Sequence, residues 1–173
     1  MTNKIVDVYN HTFGIKGFDY DQINDDVFIG TNICCQVGFD RELLAKNVRA
    51  DISLEELRVD APTGVDYFLW LPTKDHEAPV PDKLAFGVQA LEFLISRKIK
   101  VYIHCKNGHG RAPTLFVAYL MKQGMEIDEA IQYIQSKRPA VRLHPPQLES
   151  LKIYKDFLKR GSGPTVTFSA FPR

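Results

Sequence analysis

The sequence predicts an α/β domain with a central, mostly parallel sheet flanked by helices, and with helices clustered at the C-terminus. Up to residue 105, short apolar segments of strand character alternate with segments of helical character. After residue 111, three helical patterns follow one another without an intervening strand. Parallel strands need long crossover connections, which are usually helices, so the alternation favours parallel pairing.

The predicted strands are short apolar runs that end at turn-forming residues. A run of four, Val27 to Gly30, stops at its glycine, and Val48 to Leu54 precedes an acidic turn. The run V-D-Y-F-L-W-L stops at Pro72, and the fourth strand is the apolar segment from Ile99 to Ile103. These four runs supply the expected sheet.

The predicted helices carry apolar residues at helical spacing between recognisable ends. Asp40 is suited to cap a short helix over 40–47, and Pro81 suits the first turn of a helix over 81–98. The remaining helices are expected over 112–123, around 127–134 and over 145–160. Gly124 and Pro139 mark the ends of the first two of these three.

Length and composition are those of one globular domain. The 173 residues include 45% hydrophobic and 25% charged residues. We predict a single catalytic domain over 27–160, an N-terminal arm over 1–26 packed through its aromatic residues, and a flexible tail over 161–173. The chain is expected to be a monomer.

Charge and cysteine usage limit the partners and the compartment. The net charge of +1 gives no basis for nucleic acid as the main partner, and no apolar run is long enough to span a bilayer. The three cysteines are an odd number, which does not suggest a disulfide framework. Without a recognisable signal-peptide core, the expected location is cytoplasmic.

The segment from Val101 to Pro113 carries the chemistry. It reads as a buried strand ending in His104-Cys105, a loop with two glycines, and the first turn of a helix that begins near Arg111. Backbone N–H groups in such a loop can converge on an anion, and the helix N-terminus adds positive potential that favours the thiolate of Cys105. The guanidinium of Arg111 can bind two oxygens of a phosphate. The segment therefore predicts an anion site with a nucleophile at its floor.

Cys105-x5-Arg111, extended to His104-Cys105-x-x-Gly108-x-Gly110-Arg111, resembles the motif of the cysteine-dependent protein tyrosine phosphatase superfamily, in its dual-specificity branch. The resemblance spans roughly residues 27–158. It implies a dual-specificity phosphatase-like fold and hydrolysis of phosphate monoesters through a phosphocysteine. Sulfur transfer and arsenate reduction are minor rivals, because rhodanese-like domains also place a cysteine loop before a helix.

The resemblance also implies a role for each loop residue. Cys105 is the expected nucleophile, and His104 is expected behind the loop, where the family's histidine holds the cysteine. The phosphate loop comprises the residues whose backbone N–H groups, with the Arg111 side chain, bind the phosphate: Lys106, Asn107, Gly108, His109, Gly110 and Arg111. No metal or cofactor is implied, and the sequence shows no metal-ligand spacing.

The general acid must come from another part of the chain, and we predict Asp75. It lies on a loop rich in Pro, Asp, His and Glu, thirty positions before Cys105, where dual-specificity phosphatases carry their acid. Glu77 and Asp82 are competitors, and Asp66 is a weaker one because it falls inside a predicted strand.

Two further positions bear on catalysis. Most of the superfamily has a serine or threonine after the arginine, and its hydroxyl assists departure of the thiolate; Ala112 stands there instead, as in plant glucan phosphatases. Gln147 opens the last predicted helix, where it either faces the site and positions water or is simply solvated.

Three functions are compatible with these residues. The first is a protein tyrosine or dual-specificity phosphatase. The second is a phosphatase of a small phosphorylated molecule (an inositol phosphate, a phospholipid head group or a phosphoglucan), towards which the basic residues Lys106 and His109 point. The third, suggested by Ala112, is a phosphate-binding module with little turnover. Cys34 and Cys35 are either packing residues or redox partners of Cys105.

Overall fold

The computed structural model describes residues 18–36 and 38–160, and its centre is a five-stranded sheet. The strands lie in the order β1-β2-β5-β3-β4, with β1 antiparallel to β2 and every other neighbouring pair parallel. Their bounds are β1 Tyr20–Gln22, β2 Val27–Thr31, β3 Val48–Ser53, β4 Tyr67–Trp70 and β5 Lys100–Cys105. The predicted α/β class with a mostly parallel sheet is confirmed.

Five α-helices and one short 3-10 helix accompany the sheet in the described part of the chain. The 3-10 helix is Asn32–Cys35, and the α-helices are α1 Arg41–Ala45, α2 Pro81–Ser96, α3 Arg111–Lys122, α4 Ile127–Lys137 and α5 Pro145–Lys159. The last three follow one another, as predicted. In this part of the chain no helix has the length and hydropathy needed to cross a membrane.

Strand β5 is the centre of the molecule because it is buried on both faces, between β2 and β3. Side chains alternate along it, so Val101, Ile103 and Cys105 share one face and Tyr102 and His104 the other. The first three join the large core under helices α2 to α5. Tyr102 joins a second, smaller core beneath the 3-10 helix and α1. His104 and Cys105 therefore face different cores.

Helix α3 is the principal helix of the larger core. Its residues from Arg111 to Ala118 are all buried, and it packs against α2, α4, α5 and β5. Helix α3 is therefore held in place by its neighbours in the core.

The predicted cap of α1 is also present, since Asp40 Oδ1 accepts from the amides of Glu42 and Leu43 at 2.9 and 3.0 Å.

Two predicted boundaries differ from the structure. Strand β4 is shorter than the predicted run from Val65 to Leu71, and three of its four residues are exposed because it forms the sheet edge. The proposed boundary at residue 27 also divides a single sheet, because β1 pairs with β2. Residues 1–17 of the predicted arm and the predicted tail, 161–173, lie outside the described residues.

Candidate active site

The loop between β5 and α3 turns tightly at Gly108. This glycine has φ of +65°, and a Cβ there would lie 2.5 Å from the carbonyl oxygen of Gly30. Any side chain at 108 would therefore meet both backbone strain and a backbone atom that cannot move aside. The close approach of the loop to β2 explains why a glycine is needed at this position.

The carbonyl groups of the loop are bound on its outer side. Arg138 donates from Nε to the Gly108 carbonyl at 3.0 Å and from Nη2 to that of Asn107 at 3.3 Å. The Arg142 amide donates to the His109 carbonyl at 2.9 Å, and the Gly110 carbonyl accepts within α3. Because these carbonyls are bound elsewhere, the N–H groups of the loop can converge on an anion, and the N-terminus of α3 adds positive potential. This arrangement is compatible with the predicted anion site, which stays a prediction.

Arg111 is held at the edge of this loop although its side chain is only 2% exposed. Its Nη1 donates to the Thr73 carbonyl at 2.8 Å and to the Leu54 carbonyl at 3.2 Å. Its Nη2 lies 3.0 Å from Oδ1 of Asp75. The guanidinium is therefore fixed on one side by backbone carbonyls and faces a carboxylate on the other.

Asp75 is the predicted acid that contacts Arg111, and its side chain is 49% exposed, so it can exchange protons with solvent. Among the described residues, the carboxylates within 4 Å of Arg111 are those of Asp75 and Glu55. Glu55 Oε1 is 3.8 Å away and accepts from its own turn, from the Glu56 amide at 3.0 Å. The competitors Glu77, Asp82 and Asp66 do not make this contact.

Helix α5 holds the loop that carries Asp75. Gln147 Nε2 donates to the Glu77 carbonyl at 3.0 Å, and its Oε1 accepts from the His144 amide at 2.8 Å. Ser150 Oγ donates to the Pro79 carbonyl at 2.9 Å, and His76 Nδ1 lies 3.1 Å from His144 Nε2. The acid loop is thereby attached to the helix next to the site.

Gln147 also packs against the phosphate loop. It is 1% exposed, so the alternative that it is simply solvated is wrong. A Cβ at Gly110 would lie 2.8 Å from its amide, which explains the second glycine of the loop. Gln147 therefore connects the acid loop with the phosphate loop, and its predicted water-positioning role stays a prediction.

His104 lies behind the loop on the opposite face of β5, as predicted, and is fully buried. Its Nε2 is 3.3 Å from Oδ1 of Asp51, 3.6 Å from Oδ2 of Asp60 and 3.4 Å from Sγ of Cys35. Burial by itself disfavours the charged imidazole, but the Asp51 carboxylate more than offsets this and raises the pKa of His104 well above its usual value. His104 is thus surrounded by acidic groups.

Cys34 and Cys35 lie on the His104 side of the sheet. Their sulfur atoms are 2.7 Å apart and belong to the smaller core, whereas Cys105 belongs to the larger one. Burial raises the pKa of Cys34, and the hydrogen bond from Cys34 lowers that of Cys35. Because the sheet separates these thiols from Cys105, the geometry does not favour a disulfide between them.

The other loop residues differ in their exposure. Lys106 is exposed, Asn107 and His109 are half-buried, and Ala112 is fully buried in the first turn of α3. The fixed positive charge of Lys106 is therefore on an exposed side chain, while the methyl group of Ala112 lies inside the core.

Several residues around the site could not be found from the sequence. Arg138 is 1% exposed and carries two ion pairs, to Asp19 at 2.9 Å and Asp21 at 2.6 Å, besides its bonds to the loop. A basic residue before Pro139 was the available signal, and it did not distinguish a buried arginine from a solvated one. Glu55 and Asp51 likewise read as an ordinary turn residue and an ordinary strand residue.

Comparison with known proteins agrees with this geometry. Residues 32–157 match the family described as dual specificity phosphatase, catalytic domain. Dual specificity protein phosphatase 5 of Rattus norvegicus is 29% identical over 103 residues, covering 58% of this chain and 27% of the relative. Phosphatidylglycerophosphate phosphatase PTPMT2 of Arabidopsis thaliana is 33% identical over 81 residues, covering 46% of this chain and 36% of the relative.

The chain thus spans about a third or less of the length of these curated relatives. The crystal structure of PTPMT1 superposes with a TM-score of 0.70 at 28% identity, over 83% of this chain and 98% of that one. The family match covers more than half of the sequence, including both the acid loop and the phosphate loop. The chain therefore belongs to the dual specificity phosphatase family and carries its catalytic domain.

Proposed function

We propose that this chain is a phosphate monoester hydrolase in which Cys105 is the nucleophile, Arg111 and the loop amides bind the phosphate, and Asp75 is the general acid. The observation that carries this proposal is the 3.0 Å contact between Arg111 and Asp75. It brings the acid, which is 36 positions earlier in the chain, to the rim of the loop that holds Cys105. This chemistry requires a nucleophile, an anion site and an acid close together, and the contact supports that arrangement.

The reaction has two steps. In the first, the Cys105 thiolate attacks phosphorus, the bond to the leaving oxygen breaks, and Asp75 gives that oxygen its proton. In the second, Asp75 accepts a proton from water, the water oxygen bonds to phosphorus, and the P–S bond breaks to restore the thiolate and release inorganic phosphate. The loop N–H groups and Arg111 stabilise the negative charge in both steps.

Cys105 is a better nucleophile candidate than Cys35, although a hydrogen bond lowers the pKa of Cys35. Cys105 is the last residue of β5 and opens the phosphate loop, whereas Cys35 is fully buried beside His104 in the smaller core. A nucleophile needs an anion site next to its sulfur and a path for the substrate. The loop that follows Cys105 is the proposed anion site, whereas in the described part of the chain Cys35 has no such loop beside it.

The leading substrate class is phosphorylated protein, with phosphotyrosine and phosphoserine or phosphothreonine as alternatives. It is supported by membership of the dual specificity family and by the name of the rat relative. The proposed general acid stands on an exposed loop. A phosphorylated side chain of a substrate protein would therefore not have to reach deep into the protein to meet it. Phosphoproteins are therefore the first substrates to test.

A small phosphorylated molecule or a phospholipid head group is the second candidate. Lys106 is an exposed cationic residue of the phosphate loop, and added positive charge there suits a substrate with more than one phosphate. A relative is named a phosphatidylglycerophosphate phosphatase, and PTPMT1 has been solved in complex with PI(5)P. A panel of phosphopeptides, inositol phosphates, phospholipid vesicles and phosphoglucan compared with one preparation distinguishes the two classes.

The mechanism is tested by Asp75→Asn, with Glu77→Gln as a matched control on the same loop. Asp75→Asn is expected to lower kcat by roughly 10²- to 10⁴-fold on an alkyl phosphate, and by less on an aryl phosphate whose leaving group needs no proton. Removing the carboxylate that faces Arg111 should also make vanadate bind more tightly. Glu77→Gln is expected to change neither quantity.

Equal losses for the two variants, or a loss that does not depend on the leaving group, would remove Asp75 from the role. Absence of both vanadate-sensitive turnover and a phosphate burst in the wild-type chain would instead favour the phosphate-binding module suggested by Ala112. The cytoplasmic location and the monomeric state stay predictions.

A further inference from the structure

We propose that a zinc ion binds behind the phosphate loop, in a cluster formed by Cys34, Cys35, Asp51 and His104, hereafter the back cluster. Each of these residues offers one ligand atom, and the four atoms lie within 4.8 Å of one another. All four residues are buried, with exposures from 0% to 3%. The cluster lies on the opposite face of strand β5 from Cys105 and shares one residue, His104, with the proposed phosphatase site.

Asp51 is the observation that points to a missing ligand. It is 0% exposed, and neither of its carboxylate oxygens has a hydrogen-bond partner among the described residues. Its nearest cationic neighbour is the ring of His104, at 3.3 Å. A buried carboxylate without hydrogen bonds is costly, and the usual solutions are a paired charge or a metal ion.

Asp60 is a second buried carboxylate close to His104, and its oxygens do have hydrogen-bond partners. It lies 3.6 Å from His104, but one of its oxygens accepts from Ser53 at 2.8 Å and the other from Arg58 at 2.8 Å. Of these two carboxylates, only Asp51 has both oxygens without a hydrogen-bond partner among the described residues. Asp51, and not Asp60, is therefore the carboxylate whose oxygens are available to a further ligand besides the His104 ring.

The donor set selects the metal. Two thiolates, one imidazole and one carboxylate are the ligands that tetrahedral zinc takes in proteins, whereas magnesium and calcium prefer oxygen alone. The distances from His104 Nε2 to Cys35 Sγ and to Asp51 Oδ1, 3.4 and 3.3 Å, already match the ligand–ligand edges of such a site. The two sulfurs, at 2.7 Å, would have to separate to about 3.8 Å, which follows from Zn–S bonds of about 2.3 Å.

The role of the ion would be structural. Its ligands come from the 3-10 helix and from strands β3 and β5, so the metal would tie the connection after β2 to the two central strands. Four protein ligands leave no open position for a substrate or an activated water, which distinguishes structural from catalytic zinc. Binding would release the protons of the two thiols and of the imidazolium.

The test uses the whole chain, prepared with a reductant, loaded with Zn²⁺ and dialysed against a weak chelator. Metal analysis is expected to find about one Zn²⁺ per chain in the wild type and in Cys105→Ser, since a structural site of this kind holds a single ion. Cys34→Ser and Asp51→Asn are expected to retain at least tenfold less. Circular dichroism establishes that each variant is folded.

Replacement of Zn²⁺ by Co²⁺ provides a readout on the wild type that needs no variant. A tetrahedral site with thiolates is expected to give intense visible bands and a thiolate-to-cobalt charge-transfer band, and Zn²⁺ should raise Tm. Absence of retained metal and of these bands would overturn the proposal. Loss of zinc in Cys105→Ser with retention in Cys34→Ser would overturn it as well, since the metal would then sit on the catalytic thiol.

Discussion

Two consecutive residues at the end of strand β5 face opposite sides of the sheet and have opposite surroundings. After Cys105, the carbonyls of Asn107 and Gly108 accept from Arg138, and the loop is the proposed anion site. Around His104, two thiols and two carboxylates converge in a sealed core, and one carboxylate has no hydrogen-bond partner among the described residues.

The difference shows how one strand can separate two kinds of chemistry. Because successive side chains of a strand point to opposite faces, His104 and Cys105 lie on different sides of the sheet although they are joined by one peptide bond. On the Cys105 side, the strand leads into the phosphate loop and the N-terminus of α3, where Arg111 and the helix supply the positive potential that suits a negative substrate. The His104 face is closed and acidic, which suits a cation that does not exchange with substrate.

The largest expected effect concerns the nucleophile, because the comparison requires that Cys105, and neither Cys34 nor Cys35, carries the phosphate. Cys105→Ser is expected to reduce turnover by roughly 10⁴-fold or more, because the nucleophile of a catalytic unit cannot be replaced by its neighbours. Acid quenching of the wild type during turnover, followed by peptide mass mapping, should find the phosphate on the peptide that contains Cys105. Phosphate on the peptide that contains Cys34 and Cys35 would reverse the roles of the two faces.

A smaller effect is expected from the residue that holds the loop carbonyls outward. Arg138→Gln leaves the carbonyls of Asn107 and Gly108 without their charged donor, so we expect a loss of about 2–4 kcal/mol in the free energy of unfolding. Misplacement of the loop should also lower kcat/KM by up to about 100-fold and weaken vanadate binding.

The matched control is Arg142→Gln. Arg142 contacts the loop through its backbone amide, at 2.9 Å from the His109 carbonyl, and its side chain is exposed. Its replacement should therefore leave stability and vanadate affinity near those of the wild type. Equal effects of the two substitutions would mean that charge near the loop matters and the bracing of its carbonyls does not.

The smallest effect is expected at Gly110. Gly110→Ala places a Cβ 2.8 Å from the Gln147 amide, a side chain that can shift, so we expect a cost of about 1–3 kcal/mol in unfolding free energy. Gly108→Ala should cost more, since its Cβ would meet the Gly30 backbone at φ of +65°. Chemical denaturation of both variants measures the order, and a reversed order would contradict the packing described here.

Much of the fold could be predicted because many of its elements depend on residues that are close together in the sequence. The apolar spacing of α2, the Asp40 cap of α1 and the strand-loop-helix segment from β5 to α3 each depend on residues a few positions apart. Strand β1 and the exposure of β4 were not predictable in this way. Their state depends on pairing with segments far along the chain and on which strand forms the sheet edge.

The sequence by itself identified the phosphate-loop segment, since Cys105, both glycines and Arg111 lie within one continuous stretch of the chain. Only the tertiary structure decided that Asp75 meets Arg111, that Arg138 braces the loop, and that Asp51 is left without a hydrogen-bond donor. Each of these depends on side chains from separate elements, whose distances are set by how the helices and strands pack. Local propensities carry no information about such distances.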